Sequence, residues 1–375
     1  MSSKEWSNLY YKCLIICVTL WVWGMVMVLS SSTPSGIQNT GNAFYYFEKQ
    51  SIFFFLGLGL FMFFKNFPYQ KLKKFAKPFV ILSFFLLVGV IVLGHIVKGA
   101  RRDIGFGPLE FQPSELAKVA FIIYLADFFS RKYGKKMVLK DFTAPLIVLV
   151  FMMLLLIKEP DFGSTVLIFL YAVGLLFLAG MNLKIIFGFI GSFIPIAVVL
   201  VAMAPYRMKR IIGFLHPNQH PYGIGYQIIQ SLISLGSGGI FGVGIGNGKQ
   251  KLAFLPESYK DYVFAIIGEE TGLIGTIGVI ALFTVLVLIC LYVSRKTKDP
   301  FGKYLASGIG LYFGCQVLLN IGVVIDILPS KGTTLPFFSY GGSSLVMSMA
   351  TLGILFSIIK GLRTEEEIPI ISSPL

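Results

Sequence analysis

The sequence predicts an all-α polytopic membrane protein of about ten transmembrane helices, with a long extracytoplasmic loop between spans seven and eight. Three observations carry this. Of 375 residues, 55% are hydrophobic and 13% charged, with a mean hydropathy of +0.79, whereas soluble domains carry roughly 25% charged residues. Apolar runs recur along the whole chain at the length of about 17–25 residues that a helix needs to cross a bilayer. Lysine and arginine gather in short segments between alternate runs, as they do in cytoplasmic loops.

The spans fall at about 13–31, 50–64, 79–97, 114–129, 143–157, 164–181, 184–204, 262–293, 303–325 and 342–360. The first follows Lys4 and Lys12. No clear small-residue cleavage site comes after it, so a retained helix is expected in place of a signal peptide. Lys65, Lys71, Lys73, Lys74 and Lys77 follow the second span, and Arg131, Lys132, Lys135, Lys136 and Lys140 the fourth. Arg295, Lys296, Lys298 and Lys303 follow the eighth. With alternating spans these clusters share one side, which the positive-inside rule makes the cytoplasm. Both termini are then cytoplasmic, and the loops at 32–49, 98–113, 158–163, 205–261 and 326–341 face outward. Residues 1–364 read as one transmembrane domain, and 365–375 as a short flexible cytoplasmic tail, acidic and then rich in Pro and Ser.

The net charge of +14 could suggest nucleic acid, but the cations form no basic domain with interleaved aromatics. Cys13, Cys17, Cys290 and Cys315 all lie inside apolar runs without metal-site or disulfide spacing, and read as small hydrophobes. No internal repeat of fixed period is visible.

The loop at 205–261 is too long to be a simple connection. Apolar stretches such as Ile228–Leu235 predict short interfacial or re-entrant helices within it. Its glycines at 236, 238, 239, 242, 244, 246 and 248 have G-x-G spacing, but no strand precedes them and no βαβ unit surrounds them, which excludes a nucleotide fold. Close helix packing or a phosphate-binding turn remains. Lys249 and Lys251 follow at once and favour an anion nearby. Arg207, Lys209 and Arg210 open the loop, against the trend for an outward segment, and could bind lipid phosphates or an anionic substrate.

Four outward segments place charges beside apolar helix, where each needs a reason. In GARRDIGFGPLEFQPSELAK, residues 99–118, Ser114 could cap a helix, and Glu115 and Lys118 share one face at i, i+3. That pair is either a structural ion pair or a wall of a substrate cavity. In the Glu159–Gly163 turn, Asp161 is expected first as a helix cap. Pro256, Glu257 and Asp261 precede span eight. Asp261 could be a general base whose pKa rises on desolvation, or an N-cap held charged by the helix dipole; the residues alone leave this open. Of Glu269 and Glu270, one is expected to line the cavity and the other to pair with a cation or a helix end. Finally, LPSKGTTLPFFSYGGSS, residues 328–344, is too rich in Pro and Gly for a regular helix and carries Lys331. Acids and cations thus collect at one membrane-level cavity with a cationic lining, which suits a lipid-linked anionic substrate.

The chain resembles the SEDS family (shape, elongation, division, sporulation) of membrane peptidoglycan glycosyltransferases. The resemblance covers nearly the whole chain and rests on GARRDIGFGPLEFQPSELAK, EPDFGS, GIGNGKQKLAFLPESYKDYVFAIIGEETGLIG and LPSKGTTLPFFSYGGSS, in that order. The Lys331-Gly332 step and the GIGNGKQK and FLPE stretches are more similar to the FtsW and SpoVE branch than to RodA. The chain departs from the family at Asp103, where Trp is usual, and at Tyr262, where Phe is usual.

The resemblance implies polymerisation of lipid II into β-1,4 glycan on the outer face of the bacterial cytoplasmic membrane, in division or sporulation. Asp261 matches the family's essential aspartate and would deprotonate the acceptor 4-hydroxyl in an inverting transfer. Arg101, Arg102, Lys118, Lys331 and Lys249 are candidates to stabilise the leaving pyrophosphate, with Glu115, Asp161 and Glu257 further substrate-site candidates. A divalent cation (Mg2+ or Mn2+) could share the task, although no carboxylate cluster has ligand spacing; no cofactor is otherwise implied. Expected partners are the growing glycan strand, a class B penicillin-binding protein meeting spans eight and nine and the outer loop, other divisome proteins and membrane lipids. Competing readings are a lipid II flippase and a non-catalytic scaffold for the transpeptidase.

Overall fold

The computed structural model describes residues 3–97, 100–106, 109–135 and 139–367. Among these, the elements run α1 (Ser3–Thr40), α2 (Tyr45–Asn66), α3 (Tyr69–Leu93), β1 (His95–Val97), β2 (Ala100–Phe106), β3 (Leu109–Phe111), α4 (Pro113–Arg131) and α5 (Thr143–Lys158). Then come α6 (Phe162–Leu178), α7 (Leu183–Ala202), α8 (Pro205–Leu215), α9 (Tyr226–Ser237), α10 (Val263–Lys296), α11 (Pro300–Val324) and α12 (Gly342–Glu367).

Every expected span falls on a helix. Seven of these (α1, α2, α3, α5, α10, α11 and α12) are long and apolar enough to cross a membrane, which makes this a multi-pass membrane protein. α6 and α7 are shorter apolar helices, and α4 carries Glu115, Lys118 and Asp127, all buried. α12 is the most enclosed of the seven and α2 the least. Gly353 lets α12 approach α2 closely, since a Cβ there would meet the Phe61 carbonyl at 2.6 Å.

Several helix bounds differ from expectation, with α1 running from Ser3 to Thr40 and α3 starting at Tyr69. α3 stops at Leu93, with Gly94 as its C-cap in extended conformation, so the last residues of the third expected span are strand. The segment after it is a small antiparallel sheet of order β1-β2-β3, pairing His95 with Asp103 and Ile104 with Phe111. Gly105 works against a helix there. α12 continues through Glu367 into the expected flexible tail, whose remainder lies outside the described residues.

The long loop folds as expected into short helices, α8 and α9, and then does something the sequence does not announce. α10 is broken at Gly272, which stands at φ 67 and ψ −164. A broken helix inside an apolar bundle leaves backbone groups that water does not reach, and protein must pair them. The glycine-rich stretch does so. Val243 and Gly244 donate their N–H groups to the carbonyls of Glu269 and Glu270 at 3.0 Å each, and Leu273 and Ile274 donate back to Gly239 and Ile240 at 2.9 and 3.2 Å. Backbone meets backbone so closely that a Cβ on Gly242 (φ +79) would run into the Glu270 carbonyl, and one on Gly272 into Gly242. The glycines are therefore a docked clasp, the close-packing alternative of the two that the sequence left open.

Glu269 and Glu270 complete the clasp. Glu270 accepts from Lys251 Nζ at 2.5 Å and from the Ser30 hydroxyl at 2.7 Å, which ties α1 to the turn at Gln250–Phe254. Glu269 accepts the backbone N–H of Lys249 at 2.7 Å and of Gln250 at 3.2 Å. Both acids serve the break, which corrects the expectation that one of them lines the cavity.

The clasp makes two predictions. Gly242→Ala forces a strained φ and a backbone collision, a cost of roughly 1–3 kcal/mol from the φ alone, so its thermal midpoint in detergent falls by several degrees. Gly236→Ala, with open space around the new methyl, leaves the midpoint within a degree. Lys251→Met strands the buried Glu270 carboxylate at about 3–5 kcal/mol, and the double variant Lys251→Met/Glu270→Leu recovers much of that loss. A double variant less stable than Lys251→Met alone would contradict the pairing.

Candidate active site

The segments expected to face one side do meet at one end of the bundle. Tyr46 at the start of α2, Tyr259 and Tyr340 pack ring on ring, at 4.8 Å (Tyr46–Tyr259) and 5.0 Å (Tyr46–Tyr340). Tyr340 donates its N–H to the Tyr259 carbonyl at 2.8 Å, and Ser339 donates its hydroxyl to the Lys260 carbonyl at 2.5 Å. The sheet docks on the start of α12, where the Ser343 hydroxyl accepts from Gln112 N–H at 2.9 Å and donates to the Glu110 carbonyl at 3.2 Å.

Asp261 stands at the centre of this end. Glu257, at φ 56, turns the chain so that its carbonyl accepts the N–H of Lys260 and of Asp261 at 3.0 and 3.2 Å. The cap position of α10 falls on Tyr262, and no side chain caps it. The Asp261 carboxylate is directed instead against Gly332: a Cβ on Gly332 would lie 3.3 Å from Asp261 Oδ2 and 3.7 Å from the Arg102 guanidinium.

Two adjoining cavities share Arg102, Arg210 and Gly332. The larger, of about 320 Å³, holds Asp261 and has a balanced wall: Lys49, Arg102, Arg210 and Lys260 against Asp103, Glu110, Glu257 and Asp261. The smaller is cationic, with Arg102, Arg207, Arg210 and Lys331 against Asp161. Lys331 sits 5.5 Å from the Phe162 ring centre, and burial lowers its pKa from the ordinary lysine value. An anion there would restore the favoured charged form.

The candidates named from the sequence separate into four groups. Asp261, Arg102, Glu257, Asp161 and Lys331 lie on the walls of these two cavities. Asp161 also caps α6, its Oδ1 accepting the Ser164 N–H at 3.0 Å, and Arg102 donates to the Pro160 carbonyl at 2.6 Å. Glu115 and Lys118 pair at 2.8 Å inside the bundle, both almost fully buried, with Lys118 5.9 Å from the Tyr312 ring centre; they line neither cavity. Lys249 is exposed beside the clasp, away from Asp261. Arg101 is on β2, opposite Ile96, and its side chain lies outside the described residues.

Other groups at the site were not singled out for it. Lys49 carries no local signal, because only the fold brings it beside Asp261; Arg207 and Arg210 differ, having stood out in the sequence as cations against the outward trend, and both line the cationic cavity. Lys260 adjoins Asp261 in sequence. Asn320 is a buried polar residue on the apolar helix α11, which is itself a signal. Asp103 lines the larger cavity, and burial, then the neighbouring Glu110, push its pKa up to about 6 against the pull of Lys260 and Arg102. Among the described residues, no group of three or more His, Cys, Asp or Glu is placed to hold a metal ion.

Glu159 lies just behind the cationic cavity wall, 1% exposed, with neither carboxyl oxygen hydrogen-bonded among the described residues. Burial, then Asp161, raise its pKa to about 9, with Arg102 opposing. A carboxyl whose pKa is higher folded than unfolded contributes stability below its unfolded pKa and loses it as pH rises toward the folded one. Glu159→Gln therefore gains on the parent protein between about pH 4.5 and 9, by at most about 1.4 kcal/mol per pH unit. Thermal midpoints of the two proteins measured at pH 5 and pH 8 should diverge, the variant being higher at pH 8; parallel midpoints would refute a neutral Glu159.

Comparison with known proteins places the chain among relatives and folds of one kind. The probable peptidoglycan glycosyltransferase FtsW of Aliivibrio salmonicida is 38% identical over 347 residues, covering 92% of this chain and 87% of its own. That of Coxiella burnetii is 39% identical over 367 residues, covering 95% and 97%. Among solved structures, one described as "Structural coordination of polymerization and crosslinking by a peptidoglycan synthase complex" superposes with a TM-score of 0.76 at 26% identity, covering 94% of this chain and 98% of that one. The rod shape determining protein RodA of Thermus thermophilus superposes at 0.69 and 25% identity, covering 93% and 96%. The profile of the cell cycle protein family FtsW/RodA/SpoVE matches residues 11–364, nearly the whole chain, and the chain belongs to that family.

Proposed function

We propose that this chain is a peptidoglycan glycosyltransferase that polymerises lipid II into β-1,4 glycan at the outer face of the bacterial cytoplasmic membrane, with both termini inside. The observation that carries the reading is the position of Asp261, where a charge-balanced cavity meets a cationic one across Gly332. Sugar hydroxyls suit the first cavity and a pyrophosphate the second.

In the proposed step Asp261 takes the proton of the acceptor 4-hydroxyl. That oxygen bonds to the donor's anomeric carbon from the face opposite the α-linked phosphate. The carbon–phosphate oxygen bond breaks, and the polyprenyl pyrophosphate leaves with the electron pair. The new linkage is β, and the charge gained by the leaving group falls beside Arg102, Arg207, Arg210 and Lys331. Lys118 and Lys249, away from both cavities, have no part in this step. A divalent cation would be carried in by the pyrophosphate, since no ligand cage for it stands among the described residues. The partner is a class B penicillin-binding protein that crosslinks the new strand. The exposed apolar residues Leu273, Ile274, Ile277 and Leu288 of α10 support its docking on that helix, and a place among the other divisome proteins follows from the family.

Lipid II polymerisation by the full chain with its cognate transpeptidase tests the reading. Asp261→Asn should lose at least about a hundredfold in turnover, and Arg210→Ala or Lys331→Ala roughly ten- to a hundredfold. Parallel runs with a chelator report on the cation. Polymerisation by Asp261→Asn at the parental rate would remove Asp261 as the base, and no polymerisation by the parent pair would leave the scaffold reading.

A further inference from the structure

Asp261 and the loop bearing Lys331 belong to separate segments, and transfer needs their spacing held to a fraction of an ångström. One side chain bridges them at the reacting end. Asn320 stands near the end of α11, 1% exposed. Its amide nitrogen donates to the Asp261 carbonyl at 2.9 Å and to the Thr333 carbonyl at 2.6 Å. Only the NH2 group can serve two carbonyls at once, so the chemistry fixes the amide's orientation. Its oxygen has no partner among the described residues.

The support is a rigid one. α11 packs on α10, α4 and α6 and is buried along most of its length, so it serves as a fixed post between two irregular segments. Those segments are also joined further along, where Ser339 meets Lys260 and Tyr340 meets Tyr259. Loss of the Asn320 amide would therefore leave the end of the bundle assembled. It would free the stretch between Lys331 and Thr334, including Gly332, whose missing side chain makes the space beside the Asp261 carboxylate.

We infer that Asn320 is a positioning residue for glycosyl transfer, a staple that sets the Asp261 carboxylate against Gly332 and Lys331. The inference rests on the reading of Asp261 as the base. Asn320 touches no substrate in this scheme; it acts through the backbone of the two segments.

The test uses the full chain with its transpeptidase, lipid II, and the variants Asn320→Ala and Asn320→Asp. Asn320→Asp keeps the shape and replaces both donors with an oxygen facing two carbonyls. Turnover should fall about ten- to a hundredfold, with KM for lipid II within about threefold of the parent. Hydrogen exchange at residues 331–334 should quicken in the same variants, a readout that needs no activity. Should Asn320→Ala not fold, Asn320→Gln, which moves the amide by one methylene, takes its place with the same expectations. A folded variant with turnover within about twofold of the parent overturns the inference. So does a loss confined to KM, or a lowered thermal midpoint with parental turnover per folded molecule. Asp261→Ala is assayed alongside. If it stays active, the base reading fails and the exchange result still judges the staple; if it is dead while the Asn320 variants are active, only the staple fails.

Discussion

The break in α10 governs the rest of this protein. A helix interrupted in an apolar surround exposes backbone groups whose pairing cannot be left to solvent, and at Gly272 the pairing comes from a loop more than twenty residues upstream. That loop must be mostly glycine, because side chains would hold the two backbones apart. Once docked, it fixes the far end of the chain that returns through Gln250–Phe254 and the Glu257 turn to Asp261. The charged groups at the break, Lys251, Glu269 and Glu270, are spent on the same pairing. The acid at 261 is thus held by chain on both sides: a clasp upstream and a helix downstream.

Charge is sorted around that acid in a way that separates the two halves of a transfer reaction. Four cations face one acid on one side of Gly332, and four face four on the other. Pyrophosphate departure needs positive potential at the leaving oxygen, whereas a base loses proton affinity where positive potential is strongest. Placing the acid at the boundary, beside both fields, reconciles the two requirements. Arg102 and Arg210 lie on both walls and couple the cavities.

Much of this could be read from the residues. Apolar runs located the helices, because bilayer thickness sets a length that composition alone reveals, and the motif around Asp261 pointed to the acid. The i, i+3 spacing of Glu115 and Lys118 foretold their pairing but not its place inside the bundle. What stayed hidden was whatever depends on distant segments meeting. Lys49, Arg102, Arg210, Lys260 and Lys331 come from five parts of the chain, and no local pattern links them. The glycine stretch was left open between close packing and a phosphate-binding turn for a related reason: glycine marks both flexible chain and the closest packing, and only the partner backbone tells which. The strands at His95–Phe111 were hidden because each is short and paired only with its neighbour.

Gly332 has a consequence for how such a chain can change over evolutionary time. The nearest atoms to any side chain added there would belong to Asp261 and Arg102, so even alanine would occupy volume that an incoming hydroxyl requires. Selection on the reaction would then be recorded as an absent atom. Neighbouring loop residues that only shape the turn could drift, while a side chain at this position would require the acid to give way by a few tenths of an ångström.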